Sequence, residues 1–258
     1  MEDKKLDNDK EIMIDLDNAD DMGTVHTITN SEVLFNMGNA AGMLHNYADA
    51  FDYFLKAAGL GYAPAQCSLA FCYEKGNGVP QNYSKAIEYY RKSADQGYAP
   101  AMCNLGWCYE SGYGVPQDMD KAFEFYEKAA EQGYAPAQGN LGFCYGNGNG
   151  IERDQDVAFK WYSKAAANGN PFAQYNLGEC YEKGKGAEID IEKAVELYKK
   201  SAEHGYAPAQ NSLGACYEKG IGMKKNLFLA FEWYSYAAGQ GHTIAKKNIE
   251  NLKKQDLI

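Results

Sequence analysis

Apolar residues recur along this chain in a unit of 36 residues, and each unit holds two stretches with helical spacing. We take residues 97–132 as the type unit. Its first apolar set lies on one face of a helix and comprises Ala101, Leu105, Cys108 and Tyr109. Its second set has similar spacing and comprises Ala122, Phe125, Tyr126, Ala129 and Ala130. The pattern predicts two amphipathic helices in each unit.

Residues with special backbone preferences separate the two predicted helices. Gly112 and Gly114 favour the left-handed conformation that ends a helix, and Pro116 prevents its continuation. Asp118 follows, where its carboxylate can accept hydrogen bonds from the free amides of the second helix. The equivalent positions of the other units also hold capping residues, namely Asn82, Asp154, Asp190 and Asn226. Each unit is therefore predicted to be a helix–loop–helix pair.

Small residues at fixed positions predict close packing within each pair. A glycine follows the core leucine of the first helix in four units, at Gly106, Gly142, Gly178 and Gly214. Because no side chain stands there, the second helix can approach closely, and large and small residues can interlock.

The repeat runs without insertion, because a glycine recurs every 36 residues from Gly61 to Gly241. Units of this length bury their apolar faces by stacking on their neighbours, so we predict an all-α solenoid rather than two globular domains. The predicted segments are an acidic disordered tail over 1–24, a degenerate N-terminal capping repeat over 25–60, five clear repeats over 61–240 and a C-terminal capping helix over 241–258.

The net charge of −10 limits the class of partner. Phosphates and anionic lipids are attracted by a basic face, so we expect this chain to bind neither nucleic acid nor a membrane. Residues 1–24 hold nine acidic side chains and three lysines, which is typical of a solvated tail. Since neither a signal-peptide pattern nor a long apolar stretch is present, we expect a cytoplasmic protein.

The type unit carries a series of motif residues in a fixed order: Leu105, Gly106, Tyr109, Gly112, Gly114, Val115, Pro116, Asp118, Lys121, Ala122, Tyr126, Lys128, Ala129, Ala130 and Gly133. This order resembles the Sel-one-like repeat, a relative of the tetratricopeptide repeat. The resemblance covers residues 61–258 strongly and 25–60 weakly. It implies a right-handed α/α superhelical solenoid whose first helices line a concave surface. It also implies a role as a scaffold or adaptor for protein complexes.

The side chains that could carry chemistry do not form a recognisable site. The seven cysteines all lie in first helices, and their odd number and spacing lead us to expect buried, reduced thiols. The four histidines share no ligand spacing with them. We therefore predict no catalytic, metal-binding or cofactor-binding residue, and no cofactor. One acidic column is expected to be a solvated row, and it comprises Glu74, Glu110, Glu182 and Glu218.

Variable columns of the first helices are the predicted partner-binding positions. One column holds Phe71, Trp107, Phe143 and then Glu179, with Tyr175 on the same face. A second column offers amides at Asn104, Asn140 and Asn176. Alternatively, the aromatic rings complete the core between repeats and the asparagines bond neighbouring helix ends. We favour binding for the aromatic rings, because the core columns stay constant while this column changes. The asparagine column is left open.

Three functions fit these patterns. The favoured one is a non-enzymatic, monomeric interaction scaffold that binds a peptide or protein segment along a concave groove. The alternative is a small-molecule-binding protein or an enzyme that uses the groove as a pocket, although no pairing of a nucleophile with a base is evident. A structural spacer that uses only its ends is the third.

Overall fold

The computed structural model describes residues 30–254, and over this range the chain forms thirteen α-helices and no strand. The helices are α1 Ser31–Met43, α2 Tyr47–Gly59, α3 Ala63–Lys75, α4 Tyr83–Ala94, α5 Ala99–Ser111, α6 Met119–Glu131, α7 Ala135–Asn147, α8 Gln155–Ala167, α9 Pro171–Lys183, α10 Ile191–Glu203, α11 Ala207–Lys219, α12 Leu227–Gly239 and α13 Thr243–Lys254. The tail predicted over 1–24 lies outside the described residues. No helix in the described range is long and apolar enough to cross a membrane.

The chain divides into two compact units, Met1–Ala101 and Met102–Ile258. In the first unit α1 packs on α2 and α3 packs on α4, with α2 also lying against α3. In the second unit the pairs are α7 with α8, α9 with α10 and α11 with α12, and each second helix contacts the first helix of the next repeat. The prediction of an all-α solenoid of repeats of about 36 residues is confirmed.

The predicted helix ends are confirmed. Asp118 is the N-cap of α6, and its side chain accepts a hydrogen bond from the amide of Lys121. The other four predicted capping residues occupy the same position on α4, α8, α10 and α12. The first helices of the five clear repeats end at glycines with positive φ, such as Gly148 at 79° and Gly184 at 66°. A side chain would strain the backbone there, which explains why glycine recurs at these positions.

The close approach within pairs is also confirmed. A Cβ atom built on Gly142 would lie 2.8 Å from the ring of Tyr162, and one on Gly178 would lie 2.7 Å from the ring of Tyr198. Both distances are shorter than carbon atoms tolerate, so these glycines set how closely the two helices of a pair can pack.

The predicted buried faces need one correction, in α6. Phe123 is buried, with 8% of its surface exposed, although the spacing assigned that role to Phe125. Phe125 is only half-buried and stacks on Tyr109, with the two ring centroids 5.7 Å apart. Phe123 instead packs edge-on against Tyr145 of the next repeat, at 5.5 Å. Stacking of repeats thus adds a second buried side to the helix, which the periodicity of one helix does not reveal.

Candidate functional site

A buried tyrosine recurs on the second helix of the repeats and contacts the first helix of the same pair. Its hydroxyl donates a hydrogen bond to a glutamate located 16 residues earlier, on the first helix. The four bonds are Tyr90 to Glu74 at 2.8 Å, Tyr126 to Glu110 at 2.6 Å, Tyr198 to Glu182 at 2.9 Å and Tyr234 to Glu218 at 2.6 Å. A phenol removed from water needs an acceptor, and the carboxylate supplies one. The prediction that these glutamates form a solvated row is therefore wrong for Glu74, which is buried, whereas the other three are half-buried and bonded to the tyrosines.

The pair of α7 and α8 departs from this arrangement. The position of the glutamate is taken by Gly146, while Tyr162 keeps its hydroxyl and is 5% exposed. A Cβ atom built on Gly146 would lie 3.7 Å from the Tyr162 hydroxyl oxygen and 3.6 Å from Cβ of Ala158, both ordinary contact distances. Burial, reinforced by nearby thiols, raises the pKa of Tyr162, so its hydroxyl stays protonated and can donate.

The absent side chain leaves a cleft with a volume of about 120 Å³. We call it the Gly146 cleft. Its walls come from α7, α8, α9 and the loop after α9. The lining residues include Phe143, Gly146, Gln155, Tyr162, Asn176, Glu179, Cys180 and Lys185. The cleft thus lies where the repeat stacks on its successor, inside the second unit.

Hydrogen bonds hold the polar side chains that surround the cleft. Nε2 of Gln155 donates to the carbonyl oxygen of Gly146 at 2.6 Å, and Nδ2 of Asn176 donates to that of Phe172 at 2.7 Å. Glu179 forms an ion pair with Lys183 on the same helix. The negative charge at the rim is therefore balanced locally.

Three predicted partner-binding residues meet at this cleft, namely Phe143, Asn176 and Glu179. The ring of Phe143 is half-buried and lies 6.0 Å from that of Phe172. Phe143 therefore both packs between repeats and forms one wall of the cleft. Packing and binding are therefore compatible roles for Phe143.

The other predicted residues of the second unit lie outside the cleft lining. Trp107 is half-buried, and its ring lies 5.0 Å from that of Tyr113. Asn140 donates to the sulfur of Cys103 at 3.6 Å, and Asn104 is partly buried on α5. The Asn140 contact joins α7 to α5, which agrees with the alternative in which the asparagines bond to neighbouring helices.

Tyr175 and Phe71 have contrasting surroundings. The ring of Tyr175 lies 5.6 Å from that of Tyr198 and 5.5 Å from that of Tyr206, and it packs against two core clusters. Tyr175 is therefore packed both within its own repeat and against α11 of the next repeat. Phe71, in the first unit, is 44% exposed, with Nζ of Lys75 5.6 Å from its ring centre.

Sequence reasoning missed Gly146, Tyr162, Gln155 and Lys185 as site residues. A signal was present, because the glutamate column breaks at residue 146. Its meaning depends on the tyrosine partner, which lies on another helix and whose contact only the fold reveals.

All seven cysteines are buried, as expected. Burial raises the pKa of Cys72, Cys180 and Cys216 to about 11 and that of Cys144 to about 12. These thiols therefore stay protonated near neutral pH, and the thiol of Cys180 beside the cleft is a poor nucleophile. Within residues 30–254, no group of three or more potential ligands is arranged to hold a metal ion.

The repeat frame matches a known family model. Six copies of the Sel1 repeat cover residues 31–62, 63–98, 99–134, 135–170, 171–206 and 207–242. The chain belongs to the Sel1 repeat family. Sel1 repeat proteins are generally protein-interaction scaffolds. The first copy overlaps the weak repeat predicted over 25–60.

Solved structures agree with this family. A Sel1 repeat protein from Oxalobacter formigenes is 32% identical, with 85% of this chain and 87% of that chain covered and a TM-score of 0.74. A protective antigen present in uropathogenic Escherichia coli strains is 34% identical over 89% of this chain, with a TM-score of 0.70. The alignment spans only 50% of that antigen.

A more distant structure shares the fold alone. An immunity protein from Pseudomonas aeruginosa is 22% identical, with 81% of each chain covered and a TM-score of 0.58. The comparison with curated proteins gave no match.

Proposed function

We propose that this chain is a non-enzymatic interaction scaffold that binds a peptide or protein segment across the first helices of its second unit. The observation that carries the proposal is the convergence of Phe143, Asn176 and Glu179 at the Gly146 cleft. An aromatic wall beside polar groups is the composition typical of binding hot spots. Phe71 of the first unit is proposed as a separate exposed contact.

The size of the cleft favours a side chain over a whole small molecule. Pockets for drug-sized ligands have volumes of about 300–1,000 Å³. The Gly146 cleft, at about 120 Å³, is well below that range. One side chain of a longer segment would fill it, while the rest of the segment lies along the neighbouring helices.

The chemistry at the cleft supports a binding role over catalysis. Burial raises the pKa of the Cys180 thiol to about 11 and also raises the pKa of the Tyr162 phenol. A nucleophile or general base for neutral pH needs its pKa near or below 7, so neither group is tuned for that role.

The double variant Trp107→Ala with Phe143→Ala tests the proposal. Peptides are first selected on the wild-type chain from a displayed random library, and their affinities are then measured on both chains. Loss of hot-spot aromatic residues weakens binding by about 2 kcal/mol or more, close to 30-fold. Truncation of a fully buried ring lowers the free energy of unfolding by about 3–5 kcal/mol. The double variant should lose far less than that for each ring, so its melting temperature should fall little.

Phe228→Ala is the matched control, because Phe228 is 72% exposed on the second helix α12. This variant should retain both affinity and melting temperature. Equal affinity of the double variant and the wild type would refute the assignment of the binding surface. Unfolding of the double variant would place both rings in the core and also count against it.

A further inference from the structure

The repeats of this chain specify what belongs at the Gly146 position. Four helix pairs place a glutamate carboxylate within 2.9 Å of the buried tyrosine hydroxyl. The same backbone positions in the α7/α8 pair present the hydroxyl of Tyr162 and no carboxylate. The missing group is therefore known in detail: a two-carbon chain that ends in a carboxylate.

The N-terminal repeat shows that loss of the glutamate can be compensated within the chain. Its glutamate position holds Gly38, and its tyrosine position holds Phe54. A Cβ atom on Gly38 would lie 2.5 Å from the Phe54 ring, so the ring fills the space of the side chain. Carboxylate and hydroxyl are lost together there. At Gly146 the hydroxyl remains, and so does the cleft.

A positively charged residue also lines the cleft, and the other repeats have no charged residue at the equivalent position. Lys185 lines the cleft from the loop after α9. The equivalent positions in the other repeats hold uncharged residues, namely Asn77, Tyr113, Asn149 and Ile221. Glu179 is neutralised by Lys183, whereas no ion pair within residues 30–254 includes Lys185. Tyr162 and Lys185 therefore both line a cleft, beside the Glu179–Lys183 ion pair, that lacks the glutamate present in four sibling repeats.

We propose that the Gly146 cleft binds the carboxylate of a glutamate or aspartate side chain that a protein partner supplies. This inference rests on the proposed scaffold function, and it specifies the chemistry that the scaffold recognises. The Tyr162 hydroxyl donates to the incoming carboxylate, as Tyr198 donates to Glu182, and Lys185 compensates its charge. A partner side chain is the source we assign, because the cleft is lined by Phe143 and Asn176, which belong to the columns proposed to bind a peptide.

The first experiment uses propionate, which has the atoms of a glutamate side chain beyond Cα. Propionate should shift the amide NMR signals of Gly146, Cys180 and Lys185 saturably, with a dissociation constant in the millimolar range. Propionamide, its neutral analogue, should not. Tyr162→Phe should weaken propionate binding about 10-fold or more, the effect of losing a hydrogen bond to a charged group.

Two variants at one position provide the decisive control. Gly146→Glu supplies the carboxylate within the chain and should abolish the propionate response, whereas Gly146→Ala adds one carbon and should keep it. Glu182→Gly opens the equivalent space beside Tyr198, and propionate should raise its melting temperature more than propionamide does. An unsaturable response in the wild type, or an equal response in Gly146→Glu, would overturn the proposal.

The second experiment identifies the source of the carboxylate and separates this inference from the scaffold function. Peptides selected on the wild-type chain should share a glutamate or aspartate at one position. Exchange of that residue for its amide should weaken binding about 10-fold or more in the wild type and little in Gly146→Glu. Peptides that need Trp107 and Phe143 but show no acidic preference would refute the inference and leave the scaffold function intact. Propionate binding without any selected peptide would refute both.

Discussion

The α7/α8 and α9/α10 pairs share one backbone design and differ at the position next to the buried tyrosine hydroxyl, which holds Gly146 in one pair and Glu182 in the other. In both, a glycine lets the ring of the buried tyrosine approach the first helix, at Gly142 and at Gly178. Both second helices begin at an aspartate N-cap, Asp154 and Asp190. In the α9/α10 pair the Tyr198 hydroxyl bonds to Glu182 at 2.9 Å, whereas in the α7/α8 pair Gly146 leaves the Tyr162 hydroxyl facing a cleft.

This comparison teaches that a repeat protein can create a site when one repeat has glycine where the others have a larger side chain. Stacked repeats keep the backbone constant, so the loss of one side chain leaves a space whose shape and polarity the other copies define. The repeats thus act as internal references for the exceptional one. Four predictions test how far that reasoning holds.

The largest expected effect on stability comes from removal of the tyrosine hydroxyl, which is compared in the two pairs. Tyr198→Phe removes a hydrogen bond to a charged group and should lower the free energy of unfolding by about 1.5–3 kcal/mol. Tyr162→Phe removes a hydroxyl that lacks such a carboxylate partner and should change it by less than about 0.5 kcal/mol. Chemical denaturation of both variants measures the difference. Equal losses would show that Tyr162 has an acceptor of its own and would remove the contrast.

The next effect comes from restoring the glutamate. Gly146→Glu should raise the free energy of unfolding by about 1–2 kcal/mol, because it adds helix propensity and a hydrogen bond to Tyr162. Gly146→Ala is the control for propensity alone and should give about 0.5–1 kcal/mol. Thermal and denaturant unfolding of the two variants measure the gain. A glutamate variant no more stable than the alanine variant would show that Tyr162 does not receive the carboxylate.

A smaller difference is expected between the same two pairs in the rates at which their cysteines react with a thiol reagent. Burial holds the pKa of Cys144 on α7 at about 12 and that of Cys180 on α9 at about 11, and Cys180 also lines the cleft. Both should react slowly in the native protein, with Cys180 the faster of the two because it lines the cleft whereas Cys144 does not. Mass spectrometry of alkylated protein across the alkaline range gives the rates. Gly146→Glu should slow Cys180 selectively, and fast labelling of Cys144 would contradict its burial.

The smallest effect concerns a feature on which the two pairs agree, the N-cap. The backbone amide of Lys193, followed by its side chain, lowers the pKa of Asp190 below its usual value. A carboxyl group with a lowered folded-state pKa contributes stability above its unfolded pKa and loses it as the pH falls through the folded pKa. Asp190→Asn should therefore flatten the acid side of the melting-temperature profile. The cap itself should persist, since Asn226 caps α12 in the same way. An unchanged profile would contradict the role of the Asp190 charge.

Much of the fold could be predicted from the sequence because local rules set it. The capping residues, the glycines with positive φ and the helical spacing each act within a few residues. The candidate site was predicted less completely. Phe143 and Glu179 were chosen from one column and Asn176 from a second, and all three line the cleft, whereas Tyr175 packs on Tyr198 and Tyr206. Variation along a column does not tell whether the next repeat covers a side chain.

The sequence by itself determined the 36-residue period, the two helices of each unit, their caps and the close approach at glycines such as Gly142. Only the tertiary structure decided that glutamates on one helix turn inward onto tyrosines on the other, and therefore what the glycine at residue 146 leaves behind. The physical reason is the range of the interaction. Helix spacing and caps depend on neighbours along the chain, whereas a buried hydroxyl finds its acceptor 16 residues away, through the packing of two helices.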